Sequence, residues 1–127
     1  DDFLRLRGPD DHFMARTLRH LARLYARQGR GPEAEARFAE SLAQLQKSAP
    51  ETNWQVGLAK TELGEQLVRR GAFTEAEPLL LTGFATLRAD PYVGRQVLEE
   101  ARARVVRLYA AWNRPADADA WTQRALR

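Results

Sequence analysis

Cysteine is absent from the chain, which removes both a disulfide framework and thiol chemistry. Histidine is nearly absent too. His12 and His20 stand eight residues apart, and no HExxH, CxxC or glycine-rich phosphate loop accompanies them. His20, next to Leu21, reads as a surface or interface residue rather than a base. The carboxylates Glu62/Glu65 and Glu99/Glu100 lack an enclosing apolar pattern and read as solvated charge. The chain is therefore expected not to be an enzyme, with no catalytic residues, no cofactor and no metal site. No apolar run approaches the roughly 20 residues that a membrane-spanning helix needs. With no signal-peptide pattern in the opening residues, a cytoplasmic location is expected. Lysine is scarce as well: two lysines stand beside eighteen arginines, against seventeen acids, for a formal charge of +3. That excess is too small on its own to argue for nucleic acid.

What is present is helix, in a regular arrangement. The stretch LGEQLVRRGAFTEAEPLLL, from Leu63 to Leu81, runs through an apolar helical pattern to Gly71 and then begins another. Gly29, Gly71 and Asn113 lie 42 residues apart, each where a helix should stop. Leu21, Leu63 and Val105 share that spacing, as do Tyr25, Leu67 and Tyr109, and Ala34, Ala76 and Ala118. A glycine just past a helix end supplies the left-handed backbone cheaply, and asparagine is the next best residue there. One unit, a helix, a tight corner and a second helix, is made three times.

Residues 1–10 read as a linker or the end of a preceding element, and residues 11–127 as three helical hairpins, at about 11–50, 51–89 and 90–127. Asp10 or Asp11 should cap the first helix, which carries Phe13, Leu18, Leu21, Leu24 and Tyr25 on its apolar side. Pro32 belongs in the first turn of the second helix, which should bury Ala34, Phe38, Leu42 and Leu45. The third helix is expected from Glu51 or Thr52 to Arg70, carrying Trp54, Leu58, Leu63 and Leu67. For the fourth, Thr74 and Glu77 form a predicted capping box. Asp90-Pro91 predicts a fifth helix reaching Trp112. A sixth is predicted from Pro115 to the last residue, leaving Trp121, Ala125 and Leu126 as an apolar end that invites further repeats or self-association.

These positions resemble the tetratricopeptide repeat family, whose usual period is about 34 residues. Leu63-Gly64, Leu67, Gly71, Phe73, Ala76 and Leu80 fall where that family places its Leu-Gly, apolar, Gly, aromatic, Ala and large apolar residues. Leu21-Ala22, Tyr25, Gly29, Ala34 and Phe38 match in the first unit. Val105-Val106, Tyr109, Asn113 and Ala118 match more loosely in the third, where Val106 replaces the small residue and Thr122 the large one. The 42-residue spacing is similar to the longer-period branch found in kinesin light chains and bacterial multidomain proteins. Leu6, Gly8-Pro9-Asp10 and His12 resemble that branch's linker, interrupted by Arg7 and Asp11 and ending in Phe13. The resemblance implies an all-α, right-handed superhelical solenoid of three antiparallel helix pairs. It also implies a protein–protein interaction scaffold within a larger, bacterial signalling type of protein.

In this family the first helix of each pair lines a concave groove. Arg16, Arg19, Arg23 and Arg27 recur at three- and four-residue spacing on one helix face, and Arg69, Arg104 and Arg107 extend the candidate groove. One reading is a site for an acidic peptide or partner helix, because a guanidinium makes bidentate contacts to carboxylates and phosphates. The other is a solvated face with internal partners such as Glu62 and Glu65. The family's carboxylate-clamp places hold Arg19, Arg23, Glu62, Glu100 and Arg104. Both clamp asparagines are missing, so the clamp is not carried over. A structural spacer is a further reading. A nucleic-acid-binding repeat is another, weakened because Tyr25, Tyr109 and the tryptophans occupy core-like positions.

Overall fold

The computed structural model describes residues 11–127, with side chains from residue 13 onward. The expected linker at 1–10, the Asp10/Asp11 cap and the motif from Leu6 to His12 lie outside the described residues and side chains. Among the described residues, three positions carry left-handed backbone: Gly29 at φ 74°, Gly71 at 82° and Asn113 at 58°. At each, the following N–H reaches the carbonyl five residues back. Arg30 donates to Tyr25 at 2.9 Å, Ala72 to Leu67 at 2.8 Å, and Arg114 to Tyr109 at 2.8 Å. This six-to-one bond closes a helix whose last carbonyls would otherwise lack partners.

The same three residues also open the next helix. The carbonyls of Arg30, Ala72 and Arg114 accept from Ala34, Ala76 and Ala118 at 3.0, 3.0 and 3.1 Å. A single residue thus ends one helix with its N–H and begins another with its C=O. The N-cap residues Arg30, Ala72 and Arg114 carry no short oxygen-bearing side chain, and the helices after the three corners have no side-chain cap. The predicted Thr74–Glu77 capping box is accordingly not formed, because Phe73 is already helical and Thr74 lies within the first turn.

The described residues form six helices: α1 (Asp11–Arg27), α2 (Gly31–Ser48), α3 (Trp54–Arg69), α4 (Phe73–Ala89), α5 (Arg95–Ala111) and α6 (Pro115–Gln123). They are all-α and paired antiparallel, α1 with α2, α3 with α4, and α5 with α6. Pro32 sits in the first turn of α2, as expected from its missing N–H. Two starts differ from the sequence reading. α3 begins at Trp54 because Asn53 Oδ1 accepts from Gln55 N at 2.8 Å, a true side-chain cap. α5 begins at Arg95 rather than Pro91, because Asp90 Oδ1 accepts from Tyr92 N at 2.8 Å and holds 90–94 in a turn. α4 runs through Pro78 without ending.

The chain divides into two compact units at Pro50/Glu51. In the first, α1 lays Ala15 and Ala22 against α2, which buries Ala34, Phe38, Leu42 and Leu45. Ser41 Oγ, also buried, donates to the Ala15 carbonyl at 2.8 Å. Small residues on α1 allow this close approach of side chain to backbone. Phe13 and Leu24, expected on the apolar side, are instead 55% and 47% exposed.

In the second unit, Glu51–Arg127, α3 and α4 cross closely. A Cβ on Gly64 would lie 2.7 Å from the Leu80 side chain, and one on Gly83 would lie 2.7 Å from the Gly57 carbonyl. The Leu63-Gly64 pattern therefore serves helix approach, with Gly57 and Gly83 deepening the same seam. α5 packs on both α4 and α3. One core cluster joins Leu67, Leu80, Val105, Leu108 and Tyr109, and another joins Phe84, Leu87, Val93, Leu98 and Ala101.

The C-terminal end departs from expectation. α6 stops at Gln123, and residues 124–127 fold back. Arg127 Nη2 donates to the carbonyls of Asp90 and Val93, each at 2.7 Å, and Arg102 Nη1 donates to that of Arg124 at 2.7 Å. Trp121 meets Phe84 edge-on at 5.2 Å, and Leu126 is partly buried on the second cluster. The expected open apolar end is thus partly covered by residues 124–127.

Candidate binding surfaces

α1 buries Ala15 and Ala22 and turns a broad arc outward. At 100° per residue, Arg23, Arg16, Arg27 and His20 follow one another round that arc, and Phe13 and Leu24 continue it. Arg16, His20, Arg23 and Arg27 are exposed, as are Phe13, Leu24 and Met14. Arg19 stands at the edge of the arc, partly buried. The face therefore presents guanidinium groups on one flank and apolar side chains on the other. Among the described residues, Arg16 and Arg27 form no ion pair.

The remaining predicted arginines converge elsewhere, on one carboxylate. Glu65 on α3 accepts from Arg104 Nε and Arg107 Nη2 on α5, each at 2.8 Å, and lies 3.9 Å from Arg69 one turn away. Arg104 is the inner member, its side chain 11% exposed. Its Nη1 is buried with no hydrogen-bond partner among the described residues. Burial is the largest single influence on Glu65 and pushes its carboxyl up. Arg104 and Arg107 together outweigh burial and hold it below the ordinary glutamate value. These contacts fasten α3 to α5. Arg69 and Arg107 are more than half exposed and retain unused donors.

The corner between α5 and α6 carries a second polar group. Tyr109 Oη donates to Glu77 Oε2 at 2.8 Å, while Arg114 lies 3.6 Å from that carboxylate and 5.0 Å over the Tyr109 ring. Burial first, and the neighbouring Glu77 charge next, push the Tyr109 phenol up to about 12. The first corner makes a similar contact, Arg30 lying 4.4 Å over Tyr25 and bonding Glu33 at 2.9 Å. Glu33, Glu75 and Asp117 recur in the first turns of α2, α4 and α6, where a negative charge complements the helix N-terminus.

Glu62, one of the clamp places, is buried, and Glu100, another, is exposed. Glu99 bonds Arg95 at 2.8 Å along the α5 surface. Among the described residues no group of three or more His, Cys, Asp or Glu side chains could hold a metal ion. Nor is any described helix long and apolar enough to cross a membrane.

Sequence reasoning missed a cleft of about 520 Å³ between the start of α5 and the folded-back tail. Arg95, Leu98, Arg102, Arg124, Leu126 and Arg127 line it. Its arginines share no helical period, because half of them belong to residues beyond α6. Only the fold-back gathers them. Compared with known proteins, the chain matches no family model and no curated protein.

Proposed function

We propose that this chain is a non-enzymatic protein-interaction module of the tetratricopeptide type, receiving an acidic partner helix or peptide. The observation that carries the reading is the exposed face of α1, where Arg16, Arg23 and Arg27 run beside Phe13 and Leu24. Apolar side chains at such exposure supply burial area, and the arginines select a partner carrying acids beside its own apolar stripe. Within the second unit, Arg69 and Arg107 form an exposed basic patch of their own around Glu65, with Arg104 positioning that carboxylate. A cytoplasmic setting within a larger signalling protein belongs to the same reading and rests on the family resemblance.

The reading is tested with an amphipathic acidic helical peptide, its neutral counterpart, and the Arg16→Glu/Arg27→Glu chain. Exposed ion pairs are each worth about 0.2–1 kcal/mol, so reversing two should weaken the acidic peptide roughly tenfold or more. Affinity should also fall with added salt, while the neutral peptide changes little. Equal affinity for both peptides, or an unchanged affinity in the variant, overturns the proposal. Helicity by circular dichroism separates loss of binding from loss of fold.

A further inference from the structure

The charged side chains that line the cleft between α5 and the tail are all of one sign. Arg95 and Arg102 project from α5, Arg124 and Arg127 from the tail, and no acidic side chain lines it. Of these four arginines, only Arg95 has a carboxylate partner among the described residues, Glu99 at 2.8 Å. Arg102 and Arg127 each spend donors on backbone carbonyls, which fix the guanidinium groups in place without neutralising them. Arg124 lies 4.4 Å over the Trp121 ring, a stacking that leaves its edge donors available. Among the described residues, none of Arg102, Arg124 and Arg127 forms an ion pair. Leu98 and Leu126 give the cleft an apolar wall.

We infer that this cleft binds a phosphate monoester carrying an organic group. Several fixed guanidinium groups around one space repel one another until an anion is shared among them. A phosphate monoester near pH 7 brings close to two charges and three acceptor oxygens, where a carboxylate brings one charge and two. A volume of about 520 Å³ far exceeds one phosphate and falls in the range of small-ligand sites. The organic group lies against Leu98 and Leu126 while the phosphate meets the arginines. The cleft shares no lining residue with the α1 face, so this inference does not depend on the peptide-binding reading.

The test is calorimetric titration of the intact chain with phenyl phosphate, a phosphothreonine peptide, inorganic phosphate and benzoate. Either organic phosphate should saturate a single site and bind about tenfold or more tightly than inorganic phosphate or benzoate. Tighter phenyl phosphate identifies a small-molecule source, and a tighter peptide identifies a phosphorylated polypeptide. Arg102→Gln/Arg124→Gln should weaken the preferred ligand about tenfold or more. Because Arg102 also holds the tail, Arg95→Gln provides a second variant outside those backbone contacts, with about threefold or greater weakening expected. The Arg16→Glu/Arg27→Glu chain should keep full phosphate binding. No saturation, inorganic phosphate binding as well as the organic esters, or affinities unchanged in both variants overturns the assignment.

Discussion

Glu65 illustrates how one carboxylate can hold two helices. With a side chain only 18% exposed, it receives Arg104 and Arg107 from α5 while remaining on α3. Glu65→Gln would leave the buried Arg104 cation without a counter-charge. A hydrogen bond to a charged group is worth about 1.5–3 kcal/mol, and a loss of that order is expected in urea unfolding. The carboxyl has a lower pKa folded than unfolded. Its stabilisation is therefore complete above the usual glutamate value of 4.5 and disappears as pH falls through the lower folded value. Stability curves of the wild type and Glu65→Gln should converge as pH falls through that lowered folded value. Tyr109 behaves in the opposite sense. Its phenol is raised from 10.0 to about 12, so its contribution is full below pH 10 and is lost as pH climbs through 12. Tyr109→Phe should cost about 1 kcal/mol at neutral pH and flatten the alkaline loss of stability.

At the scale of helices, the legible parts are those governed by backbone chemistry. The 42-residue recurrence located all three corners, because left-handed backbone restricts the residue choice to glycine or asparagine. Asn113→Ala should cost roughly 1 kcal/mol in thermal unfolding, whereas Asn113→Gly should be neutral or slightly stabilising. The starts of α3, α4 and α5 were less legible. Asn53 outcompeted Glu51 and Thr52, the corner bond displaced the Thr74 box, and Asp90 closed a local turn instead of capping a helix. Each competition is decided by which donor the folded backbone leaves unpaired. The α3–α4 seam depends on the missing side chains of Gly57, Gly64 and Gly83. Gly83→Ala would push a methyl against the Gly57 carbonyl and the Thr61 backbone, and should destabilise by about 1–3 kcal/mol. A lowered unfolding midpoint with unchanged helicity below it is the expected result.

For the molecule as a whole, the candidate surfaces divide by how local their cause is. The α1 arginines were visible because a helix face follows from sequence spacing. For Arg69, Arg104 and Arg107 the sequence named Glu65 as one internal partner but could not choose that reading over a groove, since the choice depends on α3 and α5 being brought side by side. The C-terminal cleft was invisible for the same reason, compounded by the end of α6 at Gln123. Acidic-peptide affinity should therefore respond to substitutions on α1 and be indifferent to Arg104→Gln, whose effect should appear in unfolding measurements. The corners carry a wider consequence. Each is closed by main-chain atoms, with no side-chain cap on the outgoing helix, so the surface residues around it are under little architectural restraint. Such a chain can diversify what it recognises by drift on its outward faces without renegotiating the joints inside its hairpins.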